Sequence, residues 1–166
     1  MRVLLGAGLD VALPGGLETH LRELAAGLAV RGHEVEILGS ASRPVAARVI
    51  ARPDPRGYDI IHHHAGRPGG VPGGAGRLVH TLHFCVAAKM AVYASMGRVR
   101  TLANLANWRA VVGERAWARG PARMIAVSGR VRDEFARWHG LDPARATVIS
   151  NGFVPEAPAE ERAALR

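Results

Sequence analysis

Three short groups of residues in this sequence carry atoms that could do chemistry. They are Pro14-Gly15-Gly16, His62-His63-His64 and Thr81-Leu82-His83. Glycine has no Cβ, so its backbone N–H can approach a ligand closely, and imidazole can hydrogen-bond or exchange a proton near neutral pH. These residue types predict a site for a polar ligand, with an anionic group at the glycines.

The glycine pair stands immediately before a helical pattern. Apolar residues recur at i, i+4, i+7 and i+11, namely at Leu17, Leu21, Leu24 and Leu28. The N-terminus of a helix offers unbonded N–H groups and a positive dipole end, which suit a diphosphate. A flexible turn with no ligand is the alternative. Glu18 falls in the first helical turn, where a carboxylate stabilises the helix, so we assign it a structural role.

The sequence does not predict a nicotinamide cofactor or a metal. Gly6-Ala7-Gly8 begins like a dinucleotide fingerprint, but Val11 stands where the third glycine belongs. His62 and His64 alternate along a strand and could converge on an ion. Zinc needs three or four protein ligands, and the neighbouring sequence offers no carboxylate or cysteine at ligand spacing. We therefore expect these histidines to line the ligand edge.

His83 follows directly after an apolar run that ends in Thr81-Leu82. A histidine at the carboxyl end of a parallel strand can reach a sugar hydroxyl or a reacting oxygen. A strand-end histidine without function is the alternative. Cys85, two residues later, is interpreted as a small buried residue.

Short apolar runs alternate with helical patterns along the chain. Strands are predicted at 2–7, 35–38, 45–51, 59–62, 78–82, 124–127 and 146–149. Helices are predicted after Gly16, over 86–119 with one or two breaks near Gly97 and Gly113, and after Ser128. This alternation predicts an α/β fold, a doubly wound, Rossmann-like parallel sheet of six or seven strands with helices on both faces. The carboxyl ends of the strands then bring the candidate residues to one edge.

The last predicted helix has clear signals at both ends. Ser128 stands at the N-cap position, and Gly140 ends the helix. Val131, Phe135 and Trp138 are expected to form its buried stripe. Residues 66–76 contain six glycines and two prolines, so we expect a mobile loop there.

Composition narrows the class of protein. A chain of 166 residues with 48% hydrophobic residues suffices for one domain with a packed core. Because Cys85 is the single cysteine, no intrachain disulfide or cysteine zinc cluster can form.

No apolar run approaches the roughly 20 residues of a membrane span, so we expect a cytoplasmic protein. The net charge of +8 attracts anions, but dispersed arginines argue against nucleic acid. The arginine bias indicates a bacterial source.

Taken in order, these segments resemble the family 4 glycosyltransferases of GT-B fold. The resemblance rests on Gly15-Gly16-Leu17-Glu18-Thr19-His20 with the helix after it, Tyr58-Asp59-Ile60-Ile61-His62-His63-His64, Thr81-Leu82-His83, Ile125-Ala126-Val127-Ser128, and Val148-Ile149-Ser150-Asn151-Gly152. Two departures are Val154, where the family often has Asp, and Phe84-Cys85 after the histidine.

The resemblance implies a retaining, metal-independent transfer of sugar from a nucleotide diphosphate sugar to a small-molecule or lipid-linked acceptor. His83 would contact the reacting sugar or acceptor. Gly15, Gly16, His20, His62, His64, Thr81 and Ser128 would line the substrate site. Residues 1–152 would be the N-terminal, acceptor-side domain, and residues 153–166 a linker toward a C-terminal, nucleotide-gripping domain. No cofactor is implied, and we expect the chain alone to be inactive or to transfer sugar very weakly.

Two other classes of function stay open. A basic module could dock on anionic lipid or on a partner protein through one helical face, giving peripheral membrane contact. Its residues would be Arg98, Arg100, Arg109, Arg115, Arg119, Trp108 and Trp117. A solvated helix with its tryptophans packed inward is slightly favoured over this docking face. An epimerase or dehydrogenase fragment is disfavoured by the missing third glycine.

Overall fold

Strands and helices alternate along the chain, as the sequence predicts. The computed structural model describes residues 1–52, 57–64 and 77–152. The strands are β1 Arg2–Asp10, β2 Glu34–Ser40, β3 Arg48–Ile50, β4 Ile60–His63, β5 Arg77–Leu82, β6 Arg123–Ala126 and β7 Ala146–Val148. The helices are α1 Gly16–Val30, α2 Val86–Ser95, α3 Val99–Leu102, α4 Leu105–Arg119 and α5 Gly129–His139. The predicted loop at 66–76 and the linker at 153–166 lie outside the described residues.

All seven strands belong to one sheet, in the order β3-β2-β1-β4-β5-β6-β7, and every neighbouring pair is parallel. The chain builds outward from β1 to β3 on one side and from β4 to β7 on the other. The strand order therefore reverses between β1 and β4, and a crevice opens beyond their carboxyl ends. The predicted doubly wound α/β fold is confirmed.

Alternation along the strands sends side chains to both faces of the sheet. On one face Leu21 of α1 packs in a buried cluster with Val3 and Leu5 of β1. On the other face Phe135 of α5 packs in a cluster with Met124 of β6. Full burial of side chains of this size contributes roughly 1.5–3 kcal/mol each, so these clusters hold the helices to the sheet.

The helical region between β5 and β6 breaks in one predicted place and not in the other. Gly97 has φ +65° and separates α2 from α3, as expected. Gly113 instead lies buried inside α4, where glycine is tolerated at about 1 kcal/mol. The second break is at Asn104, whose side-chain oxygen accepts the N–H of Ala106 at 2.9 Å and begins α4. An N-cap is the stronger signal there, so the prediction at Gly113 is wrong.

The buried stripe of α5 differs from the prediction by one residue. Ser128 Oγ accepts the Val131 N–H at 3.2 Å, and Gly140 closes the helix at φ +70°. Val131 and Phe135 are buried as expected, but Trp138 is 45% exposed. His139 is buried in its place, because the side chain of Glu114 lies against it at 2.9 Å. A tertiary contact thus selects which of two adjacent residues faces inward.

The outer face of α4 is apolar and basic. Leu105, Trp108 and Val112 are each at least half exposed and share one side of the helix. Arg109, Arg115 and Arg119 are exposed beside them. Trp117 points inward and is 9% exposed, so one tryptophan follows the inward interpretation and the other does not. Within the described residues, none of the helices has the length and apolar character needed to cross a bilayer.

Candidate functional site

The loop from β1 to α1 is held against the sheet by side chains that bond to its backbone. Asp10 Oδ1 accepts the N–H of Ala12 at 3.0 Å and the N–H of Ser42 at 3.1 Å. Hydrogen bonds from the Ser42 side chain and from these backbone groups lower the pKa of Asp10. Arg22 of α1 donates to the Val11 carbonyl at 2.5 Å. The loop therefore delivers the glycine pair to a defined position at the sheet edge.

Gly15 and Gly16 have different surroundings. Gly15 is the N-cap of α1, and a Cβ built there would lie 2.0 Å from Glu18 Oε2. Gly16 is the first residue of α1, and within the described part of the chain no atom lies within 4 Å of a Cβ built on it. The predicted glycine turn is therefore closed by Glu18 on one side and open at Gly16 on the other. Glu18 lies in the first turn, as expected.

Four histidines named by the sequence lie together at the strand-order reversal. His62 belongs to β4, His64 follows β4, and its N–H donates to the Gly6 carbonyl of β1 at 2.8 Å. His83 follows β5, and its Nε2 lies 3.2 Å from His64 Nδ1. His20 comes from α1, with its ring centroid 5.0 Å from His83 and 5.3 Å from His64. We call these four residues the histidine cluster.

Thr81 contacts the cluster through His62. Its Oγ1 lies 2.7 Å from His62 Nε2, because β4 and β5 pair in parallel register with both side chains on the same face. The His62 ring lies against that of His64, with centroids 4.0 Å apart. Thr81 is only 4% exposed, so the structure places it behind His62. The contact between Thr81 and His62 therefore orients the imidazole ring of His62.

Burial keeps the histidine cluster neutral at pH 7. Desolvation, with neighbouring histidines as a smaller cause, lowers the pKa of His62 and of His83 to about 4. The same two causes hold the pKa of His64 well below its usual range, and desolvation lowers that of His20. Neutral imidazoles donate and accept hydrogen bonds and bind metal ions. The cluster is therefore suited to positioning hydroxyl groups rather than to supplying protons.

A second buried polar group, centred on Glu114, was not predicted from the sequence. Glu114 of α4 is 1% exposed, and its carboxylate accepts the N–H groups of Val86 and Ala87 at 2.7 and 3.3 Å. It also lies 2.9 Å from His139 Nε2. Glu114 thus caps α2 from a distance and ties it to α5. The only signal in the sequence is that Glu114 shares a helix face with Trp117.

Cys85 completes this second group, which we call the Glu114 cluster: Cys85, Glu114 and His139. Its Sγ lies 4.0 Å from Glu114 Oε2 and 3.7 Å from His139 Nε2. Burial raises the pKa of the Cys85 thiol to about 11, so it stays protonated. The expected small, buried role of Cys85 is confirmed. The cluster's ligand atoms lie within 4.8 Å of one another, but the carboxylate already accepts two backbone N–H groups.

Two further histidines lie on the opposite face of the sheet. His63 Nδ1 and His80 Nδ1 are 3.0 Å apart, and the His80 ring stacks on Trp117 with centroids 4.5 Å apart. Burial holds the pKa of His80 well below its usual range. The period of two along β4 and β5 separates this pair from the histidine cluster. The run His62-His63-His64 therefore does not act as one unit.

Beyond His83 a cleft of about 370 Å³ opens between α2 and α5. Phe84, Ala88 and Val131 contribute apolar surface, Lys89 and Arg130 contribute positive charge, and Glu134, which pairs with Arg130 at 2.9 Å, contributes negative charge. Ser128 precedes α5 at the same edge of the sheet, where its hydroxyl caps the helix. The edge thus combines a helix N-terminus, neutral imidazoles and an apolar cleft with basic residues.

Comparisons with known proteins agree with this architecture. The profile of Glycosyltransferase Family 4 matches residues 40–157. The crystal structure of WaaG, described as a glycosyltransferase involved in lipopolysaccharide biosynthesis, superposes with a TM-score of 0.67 at 16% sequence identity. The match covers 97% of this chain and 50% of the WaaG chain, so this chain spans half the length of that protein. A search of curated proteins found no match. With more than half of its length matched by the family profile, the chain belongs to glycosyltransferase family 4.

Proposed function

We propose that this chain is the acceptor-side, N-terminal domain of a retaining glycosyltransferase. The reaction moves a sugar from a nucleotide diphosphate sugar to an acceptor hydroxyl. The observation that carries the proposal is the meeting of His20, His64 and His83 at the strand-order reversal. Membership of glycosyltransferase family 4 supports the class of reaction.

The donor diphosphate is assigned to the N-terminus of α1. The first N–H groups of a helix lack intrahelical acceptors, and the positive dipole end favours an anion. The open space at Gly16 admits a phosphate close to the backbone. Because these groups can meet the diphosphate charge, the proposed transfer uses no cofactor.

His83 is assigned to the reaction centre. The bond from the sugar to the diphosphate breaks, and an acceptor oxygen takes the place of the leaving nucleoside diphosphate. A neutral His83 hydrogen-bonds a sugar or acceptor hydroxyl and holds it near the anomeric carbon; the acceptor oxygen bonds on the face that the diphosphate leaves, and the acceptor proton departs with the nucleoside diphosphate. His62 and Thr81 act behind it by fixing the ring of His64. The cleft lined by Phe84, Lys89 and Arg130 is assigned to the acceptor.

A C-terminal domain completes the proposed enzyme. This chain spans half the length of the WaaG chain, which supports a second half that grips the nucleotide. Residues 153–166 would lead toward it. We place the reaction in the cytoplasm, where nucleotide sugars are made.

The decisive experiment assays this chain with and without a matching C-terminal half. We expect no measurable transfer by the chain alone, because the nucleotide grip is absent, and restored transfer when the two halves are combined. Product analysis should show retention at the anomeric carbon. Normal transfer by the chain alone would contradict the division of labour, and inversion would contradict the retaining assignment.

Docking on an anionic lipid surface is a second candidate function. The exposed face of α4, with Leu105, Trp108 and Val112 beside arginines, favours it. Flotation with vesicles containing phosphatidylglycerol tests this function. We expect Trp108→Ala to reduce binding and Trp138→Ala, at the exposed tryptophan of α5, to leave it unchanged. If both variants float with the vesicles as well as the wild type does, α4 is not part of the lipid-binding surface.

A further inference from the structure

Three histidines that are far apart in sequence offer their ring nitrogens to one small volume. His20, His64 and His83 come from α1, from the end of β4 and from the end of β5. One ligand atom from each lies within 4.8 Å of the other two. The sequence argument against a metal was that His62 and His64 have no third ligand nearby. The fold brings His20 and His83 to His64 instead.

The spacing suits an ion of the zinc class. Two nitrogens bound at about 2.0–2.1 Å to a tetrahedral ion lie about 3.3 Å apart. His64 Nδ1 and His83 Nε2 are already 3.2 Å apart. His20 is half-buried on the surface of α1, so a rotation of its side chain can bring its nitrogen into the same shell.

His64 has bonding capacity on both sides of its ring. Its Nδ1 faces His83, while its Nε2 is buried and finds no hydrogen-bond partner within residues 1–52, 57–64 and 77–152. The residue is only 2% exposed. In the neutral imidazole Nε2 can carry the ring proton, which leaves the lone pair of Nδ1, facing His83, to bind an ion.

We propose that His20, His64 and His83 form a binding site for one divalent transition-metal ion that favours imidazole ligands, Zn²⁺ above all. Three imidazoles leave a fourth position of a tetrahedral ion for water or an anion. Imidazole ligands select zinc, nickel, copper or cobalt over magnesium and calcium, which prefer oxygen.

The ion is not required for transfer. An ion held by His20, His64 and His83 occupies the space beside His83 Nε2 where a sugar or acceptor hydroxyl would lie, so an occupied site blocks transfer. This consequence rests on the proposed function, whereas the binding of the ion does not. Micromolar Zn²⁺ is then an inhibitor of the complete enzyme that a chelator relieves.

The test is metal binding by the tag-free 166-residue chain. Co²⁺ serves as the spectroscopic probe, because tetrahedral coordination gives visible absorption bands, and Zn²⁺ titration by calorimetry gives affinity and stoichiometry. We expect one ion per chain, with no comparable binding of Mg²⁺. His20→Ala and His83→Ala each weaken Zn²⁺ binding roughly 100-fold or more, since loss of a supporting residue alone weakens binding 10–100-fold.

His33→Ala is the matched control, because His33 lies just before β2, at the opposite edge of the sheet. It should bind Zn²⁺ like the wild type. Circular dichroism checks that each variant is folded, and His20, half-buried on a helix, is the variant least expected to disturb the core. Absence of one-to-one binding by the wild type, or unchanged binding by His20→Ala, overturns the site. Neither result bears on the sugar-transfer proposal.

Discussion

The histidine cluster, in which only His64 is buried, and the fully buried Glu114 cluster are two polar groups with opposite bonding states. In the Glu114 cluster the carboxylate accepts two backbone N–H groups and contacts His139. In the histidine cluster His64 Nε2 is buried and has no hydrogen-bond partner among the described residues. The Glu114 cluster joins three helices, whereas the histidine cluster lies where the strand order reverses.

This difference in hydrogen bonding indicates a structural role for the Glu114 cluster and a ligand-binding role for the histidine cluster. A buried polar group whose bonds are made within the protein stabilises the fold, since removing it leaves its partners unsatisfied. A buried polar group with capacity left over lowers stability until a ligand arrives. In each cluster three ligand atoms lie within 4.8 Å of one another, so distance alone makes both clusters look like metal sites. Their hydrogen bonds distinguish them.

Acidification should have the largest effect, and it acts through the buried histidines. The pKa of His62 is about 4 in the folded chain against about 6.5 when unfolded, so its neutral form is native. Above pH 6.5 stability is unaffected. As pH falls from 6.5 toward 4, the unfolded state binds protons that the native state does not bind. This difference lowers the free energy of unfolding by about 2 kcal/mol at pH 5 for His62 alone. His64 and His80 act in the same direction.

Urea denaturation at pH 7.5, 6.5, 5.5 and 5.0 measures this loss. We expect the free energy of unfolding to fall by several kcal/mol across the series. His62→Asn should make the fall shallower, and His33→Ala should leave it unchanged. A flat profile between pH 7.5 and 5.0 would show that these histidines are not held neutral by burial.

Replacement of His83 should affect transfer and leave the fold intact. Loss of one hydrogen bond made in the transition state costs on the order of 2.7–4 kcal/mol. His83→Ala in the complete enzyme should therefore slow transfer by roughly 10²–10³-fold. The free energy of unfolding should change little, because His83 lies in a loop at the sheet edge. Full activity would reduce His83 to a strand-end residue.

Replacement of Glu114 should show the reverse pattern. Glu114→Gln keeps the shape but weakens the charge-assisted bonds to Val86 and Ala87. We expect a loss of about 1.5–3 kcal/mol in the free energy of unfolding. Glu134→Gln is the matched control, because Glu134 of α5 forms its salt bridge, among the described residues, with an exposed arginine, Arg130, in the preceding helical turn. Its loss should stay within about 0.5 kcal/mol. If both variants lose the same free energy of unfolding, the proposed structural role of Glu114 is wrong.

Replacement of Gly16 should change stability least. A side chain at Gly16 meets open space, so Gly16→Val should change the free energy of unfolding by less than about 1 kcal/mol. In the complete enzyme the added methyl groups crowd the diphosphate, and transfer should fall at least about tenfold. Gly27→Ala, farther along α1 where a Cβ fits at an ordinary contact distance, should keep full transfer. Unchanged transfer by Gly16→Val would make the glycine turn purely structural.

Local signals predicted most of the fold. The apolar runs and helical periods located all seven strands, although β3 is shorter than the predicted segment. The caps at Ser128 and Gly140 were confirmed because a cap is decided by residues close in sequence. The prediction at Trp138 was wrong because the contact between Glu114 and His139 decided which residue of α5 faces inward, and α4 begins at Asn104 and continues through Gly113.

The candidate site was predicted as a set of residues and not as an arrangement. Strand ends and the glycine turn placed His20, His62, His64 and His83 at one edge. They did not show that His63 turns away toward His80 and Trp117, or that Thr81 orients His62. Nor did they reveal Glu114, because its partners lie 25 or more residues away.

By itself the sequence determined which residues could form strands, helices and caps, and that their carboxyl ends would carry glycine and imidazole to one edge. Those properties depend on neighbours within a few residues along the chain. Only the tertiary structure decided which buried polar groups form hydrogen bonds with one another. Hydrogen bonding among buried groups depends on distances of about 3 Å between elements that are far apart in sequence. For that reason Glu114 became part of the framework, and the Nδ1 atom of His64 was left facing His83, where a ligand can bind.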